Sequence, residues 1–350
     1  MRIAYVLGGM AAVAALLAGC GGGGADGAAG SPAAATRDVP AEKPPRVPCP
    51  LPSKQVRVTL DGHVSPANVG VVMAARKGYF GDAGLHVRVL TPGSPELPAS
   101  YVAAGADDVG LTQQPQAVFT KALGEPIVAI GSVIPEPTEA MIWLRGSGIH
   151  SVADLEGKPI ATVGIPFQQG FLEQALASAG LTADDVEVLP GGYEVVPTLL
   201  RGEVDAIFGG SPNLEGKALE ARGVEPVATP VRELGIPAYD ELMVIARSEC
   251  VAKTPAMYRR FMAAVRRGTK AAVRNPGAAA AVIGESIEGD QEAGHDEIES
   301  QLQATLPLLS ESGRTDLAQA SDLVTWMDEA GMIERKPPVA TLFTNEYLAP

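Results

Sequence analysis

Four short polar segments of this sequence carry side chains that could hold a small molecule: residues 61–68 with Asp61, Gly62 and Asn68, residues 113–115 with Gln113 and Gln114, residues 164–169 with Phe167, and residues 211–213 ending in Asn213. Carboxylate and amide groups supply hydrogen-bond acceptors and donors, and none of the four segments contains Arg or Lys. An anionic ligand would want such a cation beside a helix N-terminus. The pattern therefore points to a neutral or weakly cationic, hydrogen-bonding solute. Catalytic chemistry finds less support. His63, His86, His150 and His295 stand at no metal-ligand spacing with one another or with a Cys. No Ser-His-Asp or Cys-His constellation can be argued, so neither a metal nor a cofactor is expected.

These segments need strands and helices to aim them. Alternation of Val56, Val58 and Leu60 predicts a strand, the loop 61–68 follows, and apolar residues at helical spacing then lead to a strand near residue 90. A loop between strand and helix in a parallel sheet lies where open α/β folds bind polar ligands. An ordinary surface turn has the same local signature, and spacing does not separate the two. A helix over 97–104, a turn and short buried strand over 105–112, a helix over 115–123 and a strand over 127–134 continue a β-α rhythm that predicts a parallel, doubly wound sheet. After a strand at 140–144 the rhythm restarts, with strands at 159–163, 186–189 and 204–208. Two sets imply two lobes. Gly105, Asp108 and Pro115 are echoed by Gly202, Asp205 and Pro212, as if each lobe ended a strand at a loop facing a shared cleft. From Thr254 onward the chain reads as helical. If 140–144 and 241–246 cross side by side, lobe 1 is 49–144 plus 241–350 and lobe 2 is 145–240. The fold class is then α/β, two doubly wound lobes joined by a two-strand hinge.

The formal charge of −14 over 350 residues argues against a nucleic-acid partner, because Arg259, Arg260, Arg266, Arg267 and Lys270 form only one local basic group. Residues 1–19 have the basic start, apolar middle and small-residue end of a secretory signal, and are too short and Ala/Gly-rich for a permanent span. Leu17-Ala18-Gly19-Cys20 resembles the bacterial lipobox, in which the cysteine, here Cys20, is acylated. Residues 20–48, rich in Gly, Ala and Pro, cannot bury enough surface to fold and read as a flexible tether. Membrane attachment through lipid, at the outer face of the cell membrane or in the periplasm, is the expectation. Cys49 and Cys250 remain, an even number that in an exported protein invites a disulfide closing a loop of about 200 residues. Two separate buried thiols are the alternative.

The chain resembles type II periplasmic substrate-binding proteins of ABC importers, in the branch of nitrate, sulfonate and taurine binders and of thiamine-pyrimidine-precursor binders. The likeness runs from about Val56 to Pro350 and is carried by Ala74-Ala75-Arg76-Lys77-Gly78-Tyr79-Phe80, Ser151-Val152-Ala153-Asp154-Leu155-Glu156-Gly157-Lys158, Leu199-Leu200-Arg201-Gly202-Glu203-Val204-Asp205-Ala206-Ile207 and Leu342-Phe343-Thr344-Asn345-Glu346-Tyr347-Leu348. Gly235-Ile236-Pro237-Ala238-Tyr239-Asp240-Glu241-Leu242 and Gly209-Gly210-Ser211-Pro212-Asn213-Leu214-Glu215 are similar to segments of the pyrimidine-precursor group. The resemblance implies extracytoplasmic capture of an aminopyrimidine by a monomer that serves an ABC permease and its ATPase subunits. It adds Glu215, Tyr239 and Glu241 to the ligand-binding residues, Glu241 as the carboxylate that reads the amine.

Departures from the family pattern accompany the likeness. Gly62 stands where the opening loop has Trp, Ser65 where it has Asn, and Asn68 where it has His, while Ser211-Pro212 replaces an aromatic pair. Phe167, Tyr193 and Tyr239 remain as rings that could stack on a flat ligand. A binder of sulfonate, nitrate or an aromatic acid, and a sensor rather than an importer component, are the rival readings. A pyrimidine-synthase-like enzyme is a third. Its eukaryotic relatives use a loop histidine and a cysteine-rich iron segment, against Asn68 and three scattered cysteines in this chain.

Overall fold

A computed structural model describes residues 48–49, 55–287 and 294–348. The signal and lipobox expectations, and all of the tether but Pro48, lie outside the described residues. Among the described residues no helix is long and apolar enough to cross a membrane.

Ten strands form two five-stranded sheets. The first contains β1 (Gln55–Thr59), β2 (His86–Leu90), β3 (Val109–Thr112), β4 (Ile127–Ile134) and β10 (Leu242–Arg247), in the order β2-β1-β3-β10-β4. The second contains β5 (Ala140–Leu144), β6 (Pro159–Thr162), β7 (Glu187–Pro190), β8 (Ala206–Gly210) and β9 (Pro226–Pro230), in the order β7-β6-β8-β5-β9. Every residue of β4 and of β10 is buried, which is why both read as largely apolar runs, broken only by Ser132 and the terminal Arg247, rather than as alternations.

Both sheets are mixed, a correction to the parallel sheet expected from the β-α rhythm. β10 runs antiparallel to β3 and β4, and β5 runs antiparallel to β8 and β9. Each is the strand that follows a crossing between the sheets, and a chain returning from the other lobe enters in the opposite direction. The same fact moves the crossings. β5, expected to run beside β10 at the edge of lobe 1, pairs wholly within the second sheet, and the chain passes between lobes at 135–139 and 235–241. Apolar periodicity marks a strand but says nothing about which sheet receives it.

Helices cover the sheets with the stripes their sequences predict. In the helix Pro255–Arg274 the buried positions Met257, Phe261, Ala264, Val265, Gly268 and Ala272 fall on one face. That face crosses the helix Val69–Arg76 at a pair of glycines: a methyl group on Gly268 would collide with the carbonyl oxygen of Gly70. Cys49 and Cys250 are joined by a disulfide with their Cα atoms 5.1 Å apart. It ties the start of the folded body to the helix Ser248–Lys253, immediately before that long helix.

The bridge spans 201 residues, and such cross-links stabilise by about 2–4 kcal/mol, largely by restricting the unfolded chain. The Cys49→Ser, Cys250→Ser double variant is expected to melt several degrees lower than the unreduced wild type, and equal melting temperatures would refute a stabilising role.

Candidate functional site

The ends of strands from both sheets open on a cleft of about 400 Å³. From the first lobe comes the loop after β1. Asn68, wholly buried, knots this loop: its side-chain amide donates to the carbonyl of His63 at 2.9 Å and to Asp61 Oδ1 at 3.1 Å, while its Oδ1 accepts from the Ser65 N–H at 3.1 Å. Asp61 and Gly62 are thereby held at the cleft wall, with Gln113 contributed by the end of β3.

From the second lobe come the turn Gly192–Glu194, which carries Tyr193, and the end of β8. Pro212 opens a single π-helical turn, Pro212–Gly216, closed by Glu215 accepting from the Ser211 N–H at 2.7 Å. Asn213 and Glu215 line the cleft from this turn. In the echoing segment of the first lobe, Pro115 is the second residue of an ordinary α-helix, Gln114–Ala122.

The crossing chains supply the floor. Glu241 Oε2 accepts from the N–H of Thr138 at 2.7 Å and of Glu139 at 3.3 Å, so one carboxylate clasps both crossing segments. Glu139 is buried beside it, accepting from Gln168 Nε2 at 2.6 Å and from the Tyr239 hydroxyl at 2.8 Å. Thr138 and Ser211 share a hydrogen bond at 2.8 Å.

Asp61, Gly62, Gln113, Asn213, Glu215 and Glu241 thus meet at the cleft, as a ligand site requires. Four other candidates do not. Asn68 is spent on its own loop. Gln114 turns inward, where its Oε1 accepts from the Asp240 N–H at 2.7 Å. Phe167 packs edge-on against Phe171 at 4.9 Å in the core, and Tyr239 lies behind Glu139 rather than in the cleft. Sequence reasoning assigned no ligand role to Glu139 or His63. Glu139 had a signal, a carboxylate placed directly before the fully apolar Ala140-Met141-Ile142-Trp143, where a charge next to a buried strand has to meet something. Tyr193 is the one of the three proposed rings that lines the cleft.

The site is electrostatically one-sided. Burial, followed by the neighbouring Glu241, pushes the Glu139 carboxyl up to about 8 despite its bonds from Gln168 and Tyr239. Burial and the charge of Asp61 push Glu241 up to about 7 against the opposing bonds from Thr138 and Glu139. Burial also raises Asp61 and Glu215. Among the described residues lining the cleft the one Lys or Arg is Arg222, and it is paired with Glu297 at 3.1 Å. Burial lowers the His63 pKa, keeping that ring neutral near pH 7. Such a wall accepts hydrogen bonds from amino or protonated ring nitrogen groups and offers an anion nothing comparable.

The family described as NMT1/THI5 like matches residues 65–279. The chain belongs to that family. A Haemophilus influenzae protein named for thiamine biosynthesis is 35% identical over 204 residues, 57% of this chain and 65% of that protein. The formylaminopyrimidine-binding protein of Halalkalibacterium halodurans is 27% identical over 293 residues, 81% of this chain and 88% of its own. A 4-amino-5-hydroxymethyl-2-methylpyrimidine phosphate synthase of Aspergillus parasiticus is 29% identical over 231 residues, 62% and 66% of the two chains. Among solved structures, the alkanesulfonate-binding protein SsuA of Xanthomonas axonopodis superposes with a TM-score of 0.66 at 16% identity, over 83% of this chain and 98% of its own. At that identity the likeness establishes the fold, that of periplasmic binding proteins.

Raised carboxyl pKa values fix the sign of a pH effect. Folding tightens the hold of Glu139 on its proton, from an ordinary 4.5 to about 8, so the native state binds more protons than the unfolded chain between those values and stability falls as pH rises through them. The slope from one such group is at most about 1.4 kcal/mol per pH unit. The ligand-free protein is expected to melt at lower temperature as pH is raised from 5 to 8, with a shallower dependence in Glu139→Gln. Equal slopes in the two proteins would contradict the assignment.

Proposed function

We propose that this protein is the extracytoplasmic solute-binding component of an ABC importer and that it captures a thiamine pyrimidine precursor, an aminopyrimidine, between its two lobes. One observation carries the reading: Asp61, Glu215 and Glu241 line the cleft, Glu139 is buried behind them, and the one Lys or Arg there is already paired. An aminopyrimidine presents an amino donor beside a ring-nitrogen acceptor on one edge: a carboxylate accepts from the amino group, and a carboxyl whose pKa is raised by burial can keep the proton that the ring nitrogen accepts. The relative named for formylaminopyrimidine binding supports the ligand class. A sulfonate, the ligand class in the name of SsuA, or nitrate would place negative charge against carboxylates, at a cost that no free cation in the described cleft offsets.

The synthase relatives favour an enzyme reading, which has less support in the site. His63 is the one histidine lining the described cleft, and it packs on Tyr193 with ring centroids 4.2 Å apart. Asn68, at the position resembling the family's loop histidine, is buried in the loop knot.

Export and lipidation of Cys20, followed by the tether to Pro48, belong to the same proposal and hold the binder near its permease. Cys20→Ser should release the chain from the membrane without changing its melting temperature. Unchanged membrane attachment would sink the anchor.

Thermal-shift and calorimetric screening against aminopyrimidines, sulfonates and nitrate tests the ligand, with stabilisation expected from aminopyrimidines alone. A hydrogen bond to a charged acceptor is worth about 1.5–3 kcal/mol, so Glu241→Gln should weaken aminopyrimidine binding about ten- to hundredfold. Stabilisation by an anion with aminopyrimidines silent would reject the proposal.

A further inference from the structure

Tyr193 and His63 are the aromatic side chains lining the cleft among the described residues, and they come from opposite lobes. His63 sits in the loop after β1 and Tyr193 in the turn Gly192–Glu194. Their rings meet at 4.2 Å between centroids with an interplanar angle of 49°, a tilted contact of the kind aromatic pairs prefer. Beneath Tyr193 lies Gly62. A methyl group there would stand 3.3 Å from Tyr193 Cε1 and 3.6 Å from its hydroxyl oxygen. Gly62 is not among the glycines with a left-handed backbone, so its backbone would admit alanine. It is the tyrosine ring that uses the room left by the missing side chain.

The Tyr193 hydroxyl is buried and has no hydrogen-bond partner among the described residues. Buried hydroxyls are ordinarily satisfied, and this one belongs to a residue at the ligand cleft. Burial, with the charges of Asp61 and Glu96, raises its pKa well above the ordinary value, so it remains a neutral donor.

We propose that Tyr193 is a specificity residue of the cleft: its ring is the stacking wall for a flat heteroaromatic ligand, its hydroxyl hydrogen-bonds to that ligand, and Gly62 is small so that the ring can lie there. The proposal rests on the aminopyrimidine reading and adds the residue that recognises the ring as a ring, whereas the carboxylates recognise its polar edge. Because His63 and Tyr193 belong to different lobes, the aromatic wall is complete only when the lobes are together. Ring recognition is thereby coupled to closure.

Calorimetry on the full chain with 4-amino-5-hydroxymethyl-2-methylpyrimidine tests this in wild type, Tyr193→Phe, Tyr193→Ala, Gly62→Ala and the Gly62→Ala, Tyr193→Ala double variant. Base-aromatic stacking energies predict a loss of about tenfold or more in Tyr193→Ala, and Tyr193→Phe should lose less because the ring remains. Gly62→Ala should weaken binding in the wild type and cost nothing further once Tyr193 is alanine, since the two act through one contact. Circular dichroism and melting curves check that each variant is folded. Wild-type affinity in folded Tyr193→Ala, or additive losses in the double variant, would overturn the role of Tyr193 while leaving the ligand class standing. No binding by the wild type would overturn both.

Discussion

The burial of carboxylates where the chain crosses between lobes is the constraint on which the rest depends. Glu139 and Glu241 belong to different crossing segments, yet the Glu241 carboxylate accepts the backbone N–H groups of both Thr138 and Glu139. An isolated buried carboxylate is strongly disfavoured unless hydrogen-bonded or protonated. The fold meets that demand with backbone donors for Glu241 and with Gln168 and Tyr239 for Glu139. These donors do not cancel the penalty, as the raised carboxyl pKa values record. What remains is an unsatisfied preference for a donor or a positive charge.

The same constraint explains why core and site meet at Tyr239. Its ring packs 5.6 Å from that of Phe171, and its hydroxyl reaches Glu139. Buried tyrosines place their polar end on a partner while the ring fills the core. Tyr239 therefore supports a carboxylate next to the cleft without lining it, and the N–H of its neighbour Asp240 donates to Gln114 Oε1.

Contacts away from the crossing join the lobes by polar and by apolar means. The helix His295–Thr305, part of the C-terminal return, offers Thr305 to Asn213 at 2.8 Å and Gln301 to the Leu214 carbonyl at 3.2 Å, and Glu297 pairs with Arg222 at 3.1 Å. Neutral hydrogen bonds and a half-buried ion pair contribute modestly because water competes for the same groups. Apolar contacts cross between the lobes as well, for the Trp326 ring of the helix Leu317–Glu329 lies 5.5 Å from that of Phe171.

Local patterning was enough to place most strands and helices, though not β9, whose prolines at both ends and lack of a long apolar run hid it. The strands Ile127–Ile134 and Ala140–Leu144, the helix Leu97–Ala104 and the glycine-to-proline echo ending at Pro115 and Pro212 were legible because apolar period and proline position act over a few residues. Two lobes and the loops that face a cleft followed from the same rhythm. Which sheet receives β5, the antiparallel entry of β10, and the burial of Asn68, Gln114, Phe167 and Tyr239 away from the cleft were decided only by tertiary structure. A side chain in a loop points according to what packs behind it, and for Tyr239 that is Glu139, 100 residues away. The sequence by itself determined the element types, the class of fold and a cleft rich in acceptors, because these depend on neighbours along the chain. Tertiary structure alone decided that Glu139 joins Glu241 and that Tyr193 lies over Gly62, because those contacts join residues distant in sequence whose meeting no local period encodes.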